Sequence, residues 1–103
     1  MNKDDFEVLA VRELSLHNHL TGKIEKIKIT LGKPYWVEDG ISAACPLAID
    51  GLTGRMPDIV GIDFMQALQL ALSLAENILQ SVKGEKSVRW PDGEPYSDSA
   101  EPV

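Results

Sequence analysis

The chain has 103 residues, of which 44% are apolar and 25% charged, with a single cysteine and a net charge of −6. That length supports one domain with its own core, and one cysteine excludes an intramolecular disulfide. The acidic balance lacks the basic footprint that nucleic-acid binding needs. The excess is uneven: residues 91–103 hold Asp92, Glu94, Asp98 and Glu101 and no base, whereas the first 90 residues are nearly balanced at −2.

Taken in order, residues 1–5 are polar and read as a frayed end. The opening MNKDDFEV has no apolar run of the kind a secretory signal carries, and no stretch reads as a membrane span, so a cytoplasmic location is expected. Phe6 to Leu16 reads as a strand, with Phe6, Val8, Ala10, Leu14 and Leu16 on one face. Residues 17–23 have turn composition. Residues 24–32 give the clearest alternation: Ile27, Ile29 and Leu31 against Lys26, Lys28 and Thr30. Ile24 is out of phase with Ile27, which predicts a bulge or a strand start near Glu25. The two segments predict an antiparallel hairpin.

Residues 32–40 read as a loop carrying Tyr35 and Trp36. Residues 41–51 read as a third strand, and Pro46, lacking a donor N–H, predicts an edge position or a bulge there. Residues 52–61 cross to the long helix expected between Gly61 and Gly84.

The helix carries several agreeing local signals. Asp63 and Gln66 form a capping box, Ile62 and Ala67 stand at staple positions, and the interior has no Gly or Pro. Gly84 is the expected stop, with Lys83 in the last turn. At about 100° per residue, Phe64, Leu68, Ala71, Leu72, Ala75, Ile78, Leu79 and Val82 share one face, widened by Ala67 and Leu74. The opposite face, Gln66, Gln69, Ser73, Glu76, Asn77 and Gln80, carries only one charge. Val88–Trp90 is a short fourth strand or arm, and the remainder is a Pro- and acid-containing tail.

The expected fold is therefore α+β: a three- to four-stranded antiparallel meander with strand 2 central, packed on one long helix in the order β-β-β-α, with a short C-terminal strand. The expected domain spans residues 1–90, followed by a tail over residues 91–103.

The sequence holds no persuasive catalytic constellation. His17-x-His19 has metal-ligand spacing, and Cys45 could add a third ligand or act as a nucleophile. No fourth ligand accompanies them, and a cysteine among Ala and Leu reads as a small buried apolar group. Gly51, Gly54 and Gly61 fit no phosphate-loop spacing. Asp50, Asp58 and Asp63 read as turn, loop and cap residues, with Arg55 and Arg89 as their partners. No metal or cofactor is expected. Trp and Tyr with Arg are what binding hot spots are made of, and the aromatic loop together with the acidic tail gives Tyr35, Trp36, Trp90, Asp92, Glu94, Tyr96 and Asp98 as candidate partner-binding residues.

The run Cys45-Pro46-Leu47-Ala48-Ile49-Asp50-Gly51-Leu52, followed by Gly61-Ile62-Asp63-Phe64-Met65-Gln66-Ala67-Leu68-Gln69-Leu70-Ala71-Leu72, resembles a family of small uncharacterised bacterial domains with a G-x-D-x-x-Q-A-L-x-L-A-L helix start. The resemblance covers most of residues 6–90 and implies bacterial origin and the β-β-β-α layout. It brings no catalytic residues with it.

Three functions fit these residues. The leading one is a non-enzymatic protein-binding module, most specifically an immunity-type protein that neutralises a bacterial toxin, since acidic inhibitors steer onto basic surfaces. The second is a structural, self-associating domain using the uncovered sheet face or the Gln-rich helix face. The third is a small enzyme or ligand-binding protein. The partner is accordingly another protein or a second copy of this chain, with neither nucleic acid nor membrane involved.

Overall fold

In the computed structural model, which describes residues 6–96, β1 (Val8–Asn18) and β2 (Ile24–Gly32) form the hairpin that the alternation predicts. Their register runs unbroken from Ala10↔Leu31 to His17↔Ile24. Ile24 is thus paired in phase, and the irregularity expected there lies instead between Val8 and Ala10. β1 outruns its predicted end because His17 and Asn18 find partners in β8 (Lys86–Arg89) as well. The hairpin turn is closed by Asn18, whose side chain accepts from the N–H groups of Leu20 and Thr21 at 2.9 and 3.1 Å.

The meander of three or four strands is replaced by eight strands among the described residues, in two sheets. The predicted loop at 32–40 contains β3 (Tyr35–Glu38). Tyr, Trp and Val favour extended backbone. A tight turn, with Gly40 at φ +73° and the Ile41 N–H donating to the Glu38 carbonyl at 2.8 Å, folds β3 onto β4 (Ser42–Cys45). The predicted third strand is cut at Pro46 into β4 and β5 (Leu47–Asp50). The crossover holds two further short strands, β6 (Gly54–Arg55) and β7 (Ile59–Gly61).

Pro46 is the junction of the two sheets. Before it, β4 pairs with β3 and β7; after it, β5 pairs with β2 and β6. The result is a five-stranded sheet ordered β6-β5-β2-β1-β8 and a three-stranded sheet ordered β3-β4-β7. Proline cannot donate to a ladder, so the change of partner falls where a donor is missing. Its carbonyl still accepts from the Gly32 N–H at 2.8 Å, which ties the junction to the end of β2. Strand β2 is central in the larger sheet, as predicted.

The helix, α1 (Phe64–Gln80), starts where its signals predict. Asp63 caps it by accepting from the Gln66 N–H at 2.8 Å. The Gln66 side chain returns a bond to the N–H of Ile62, one residue earlier than a capping box requires. Ile62 stays largely exposed instead of acting as a staple. The helix stops short of Lys83 and Gly84: Ser81 is the C-cap, and its hydroxyl donates to the Ile78 carbonyl at 2.6 Å, satisfying an acceptor that another turn would have used. Gly84, at φ +78°, serves the turn into β8.

The buried seam of α1 is Ala67, Ala71, Ala75 and Leu79, an i, i+4 row of mostly small residues. Leu68, Leu74 and Ile78 flank it, partly buried. Leu72 is 48% exposed and Phe64 38%, so the predicted stripe of large residues is narrower and rotated toward the alanines. Small side chains let the helix lie close to β4 and β7. The larger core is in the five-stranded sheet, where Leu14, Ile27, Leu47 and Ile49 are fully buried with Leu16, Ile29, Leu31 and Val88 around them. Each such side chain contributes roughly 1.5–3 kcal/mol by leaving water.

After β8 the chain folds back on itself. The Trp90 N–H donates to the Glu94 carbonyl at 2.8 Å, and the Tyr96 N–H to the Val88 carbonyl at 3.1 Å. Tyr96 is buried in the core, so the fold includes residues that composition assigned to the tail. Asp98 and Glu101, also marked in the tail, lie outside the described residues.

Candidate functional site

The three-stranded sheet presents its two faces differently. Tyr35, Ala44 and Val60 are cross-strand neighbours on one face, while Trp36, Ala43 and Gly61 share the face toward α1. The Tyr35 hydroxyl donates to Asp58. Asp58 also receives the Arg55 guanidinium at 2.8 Å, one of the Arg–carboxylate pairings expected around this crossover. Arg55 donates to the Met56 carbonyl at 2.5 Å and lies 4.8 Å from the centre of the Phe6 ring. On the other face the Trp36 ring leans against Phe64, centroids 4.9 Å apart. Lys33 and Glu7 face each other at 4.0 Å. These groups line an open cleft of about 650 Å³ at the Pro34–Pro46 end of β3.

Exposed apolar side chains are concentrated on the three-stranded sheet and the start of α1, and three of them, Tyr35, Trp36 and Phe64, line the cleft. Of the fifteen large hydrophobic residues exposed in the described part of the chain, eight belong to this sheet, its β3–β4 turn and the start of α1: Tyr35, Trp36, Val37, Ile41, Val60, Ile62, Phe64 and Met65. A concentration of exposed apolar side chains of this kind is unusual on a small domain. Its rim carries exposed acids, Glu38 and Asp39 in the β3–β4 turn and Asp63 at the helix start.

Tyr35 and Trp36 are therefore both exposed, but on a strand and not in the expected loop. Sequence reading missed Phe6, Arg55, Asp58 and Phe64 as their companions. The run Tyr-Trp-Val before Glu-Asp-Gly was a signal for a strand and hairpin turn, and Arg55-x-x-Asp58 was a signal for a local ion pair. That both meet one cleft follows from the pairing of β3 with β4.

The other predicted residues are at the far edge of the five-stranded sheet, beside β8. The Tyr96 hydroxyl donates to Glu76 Oε2 at 2.5 Å and accepts from Arg12 Nη1 at 2.8 Å, and Arg12 stands 3.6 Å from the same carboxylate. The Arg12 guanidinium lies 5.2 Å from the Trp90 ring centre, and the Trp90 and Tyr96 rings are 4.9 Å apart. Burial, then the hydrogen bond and charge of Glu76, raise the Tyr96 pKa against the opposing pull of Arg12. These aromatic groups anchor the C-terminal segment to β1 and α1. Asp92 closes a turn by accepting from the Glu94 N–H at 3.0 Å. The two clusters do not form one site.

Cys45 is buried, with its thiol 3.4 Å from the Gly32 carbonyl. Burial, then the nearby negative charge of Asp58, pushes its pKa up to about 11. A thiol held protonated in the interior behaves as an apolar filler and not as an activated nucleophile. His17 hydrogen-bonds Ser15 within β1 at 3.2 Å. Among the described residues no group of three His, Cys, Asp or Glu side chains is placed to hold a metal ion, and no helix is long and apolar enough to cross a membrane.

Fold and surface together define a two-sheet α+β domain that carries an aromatic cleft on its smaller sheet. The chain belongs to the family described as domain of unknown function DUF6968, which matches residues 10–102 and so takes in both sheets, the helix and the C-terminal segment. No curated protein and no solved structure matches it.

Proposed function

We propose that the protein is a non-enzymatic protein-binding module whose contact surface is the three-stranded sheet with the first turn of α1. The observation that carries this reading is the gathering of eight exposed large apolar side chains there, Trp36 and Tyr35 among them. Aromatic residues in a partly enclosed patch are the anchors of protein interfaces. The acidic rim of Glu38, Asp39 and Asp63 favours a basic partner, which keeps an immunity-type inhibitor of a toxin as the most specific form of the reading. The contact is assigned to this sheet, and not to Trp90 and Tyr96, because those rings are engaged with Arg12 and Glu76.

The test is affinity capture from the native host with three baits: the unaltered protein, Trp36→Ala with Val60→Lys, and Asp92→Lys with Glu94→Lys. A near-equimolar partner retained by the third bait and lost by the second supports the proposal. A partner indifferent to Trp36 and Val60 refutes it, and a toxin among the captured proteins establishes the immunity form.

A second reading, self-association, is favoured by β1. Its residues before Ser15 pair only with β2 among the described residues, and Val8, Leu9 and Val11 are about half exposed. Sedimentation showing a monomer at high concentration removes it.

A further inference from the structure

We infer that the outer edge of β3 takes an extended peptide segment that carries an apolar anchor and, three to four residues away, a lysine or arginine. The inference rests on the protein-binding reading above and names the form of its partner. In the order β3-β4-β7, β3 has a strand on one side only among the described residues. The backbone groups of such an edge are best satisfied by another extended strand. All four residues of β3 are exposed to solvent.

The two ends of β3 offer different chemistry. At its start, Tyr35, Trp36 and Phe64 with Pro34 and Pro46 line the open cleft, which suits an aromatic, aliphatic or proline side chain. At its end, the exposed carboxylates of Glu38 and Asp39 stand in the turn, and neither is taken up by an ion pair among the described residues. The charges nearer the cleft are already matched, Arg55 by Asp58 and Lys33 by Glu7. A strand advances about 3.3 Å per residue, so the cleft and the acidic turn are separated by roughly 10–13 Å of extended peptide. That distance sets the spacing between anchor and base in the ligand.

The experiment uses a phage-displayed random dodecapeptide library panned on the full chain, with the Trp36→Ala protein as the counter-selecting control. Enriched sequences are expected to share an apolar residue and a Lys or Arg three or four positions apart. A synthetic peptide of the leading sequence should shift the backbone amide resonances of β3. It should lose at least tenfold in affinity on Glu38→Lys with Asp39→Lys, two exposed substitutions that leave the core untouched. N-methylation of alternate backbone nitrogens in the peptide should lose a further tenfold in one of its two registers, because strand pairing needs those donors. Failure to enrich any sequence over the control, or a peptide that shifts β1 amides in place of β3, overturns the inference. So does a peptide indifferent to N-methylation in both registers. If a captured partner still depends on Trp36 and Val60 under any of these results, the surface reading stands and only the strand pairing falls.

Discussion

The two sheets are built from the same β-forming residue types and use them in opposite ways. In the five-stranded sheet Ile27, Ile29, Leu31, Leu47 and Ile49 point inward and are buried. In the three-stranded sheet Tyr35, Trp36, Val37 and Val60 remain 42–58% exposed, and the buried positions are Ala43, Ala44, Cys45 and Gly61. Strands β4 and β5 belong to one run of chain, divided only by Pro46. The difference shows that the larger sheet supplies the stability and the smaller one is a platform. Its small inward residues admit the helix closely, and its large residues remain on the surface, where the proposed contact lies.

The widest separation between the sheets should appear in stability. Ile49 is fully buried between β2 and β6, and Ile49→Ala should cost roughly 2–5 kcal/mol through lost burial and a cavity. Val60→Ala, in the exposed face of β7, should cost less than about 1 kcal/mol. Urea denaturation of both variants checks the pair, and equal losses would erase the division of labour.

Alkaline pH probes the junction. Cys45 is protonated in the fold up to about 11, against an ordinary value of 9.0. Below pH 9 folded and unfolded chains both hold the proton, and the thiol contributes no pH dependence. Between pH 9 and 11 the unfolded chain releases it and the native chain does not, so stability falls as pH rises. At about 1.4 kcal/mol per pH unit the full loss is roughly 2–3 kcal/mol. Tyr96, its pKa also raised, adds a fall of the same sign at higher pH. Urea midpoints at pH 8, 9.5 and 10.5 should decline in the unaltered protein and decline less in Cys45→Ala. Parallel curves would mean the thiol side of the junction is wet.

How far the sequence revealed this arrangement depended on range. Strand β2 was legible because Ile27, Ile29 and Leu31 alternate with Lys and Thr, and the start of α1 because Asp63 and Gln66 act within one turn. Both signals are local. Pro46 announced an interrupted ladder but carried no information on which strands would flank each half, since partner choice is fixed by residues far away. The face of α1 was read by size, with Leu72 among its core residues. The structure chose Ala67, Ala71 and Ala75, because the position closest to a sheet takes the smallest side chain. Tyr96 was hidden by the acidic composition around it. In the cleft, Tyr35 and Trp36 could be singled out by type. Phe6, Arg55, Asp58 and Phe64 join them only through pairing in space.

The closeness of helix and small sheet gives an intermediate effect. A Cβ on Gly61 would stand 2.6 Å from the backbone nitrogen of Ala67 and 3.0 Å from its Cα. Those are backbone atoms that cannot swing aside, so Gly61→Ala must push the first turns of α1 off β7. Overpacking of this kind costs typically 1–3 kcal/mol. The Trp36–Phe64 contact lies on the same turn, so the variant should also change Trp36 fluorescence while leaving the five-stranded sheet intact. A variant of unchanged stability and emission would show that helix and platform are not closely fitted.

The smallest effect is expected at Leu72, and it bears on the comparison most directly. Helical periodicity places Leu72 with Leu68 and Leu79 on an apolar face, where truncation would cost about 2–5 kcal/mol. In the fold it is 48% exposed on the flank of α1, over a shallow recess formed with Ala10, Arg12, Ile29 and Leu31 of the larger sheet. A side chain still half in water loses only part of its transfer free energy and leaves no closed cavity. Leu72→Ala should therefore cost under about 1 kcal/mol. Leu79→Ala, on the same helix but 2% exposed, should cost several times more. Equilibrium denaturation of the two variants separates the alternatives. A large loss at Leu72 would mean that the helix is rolled toward its leucines, with the alanine seam lifted away from β4 and β7. The close fit between the helix and the three-stranded sheet would then be lost as well.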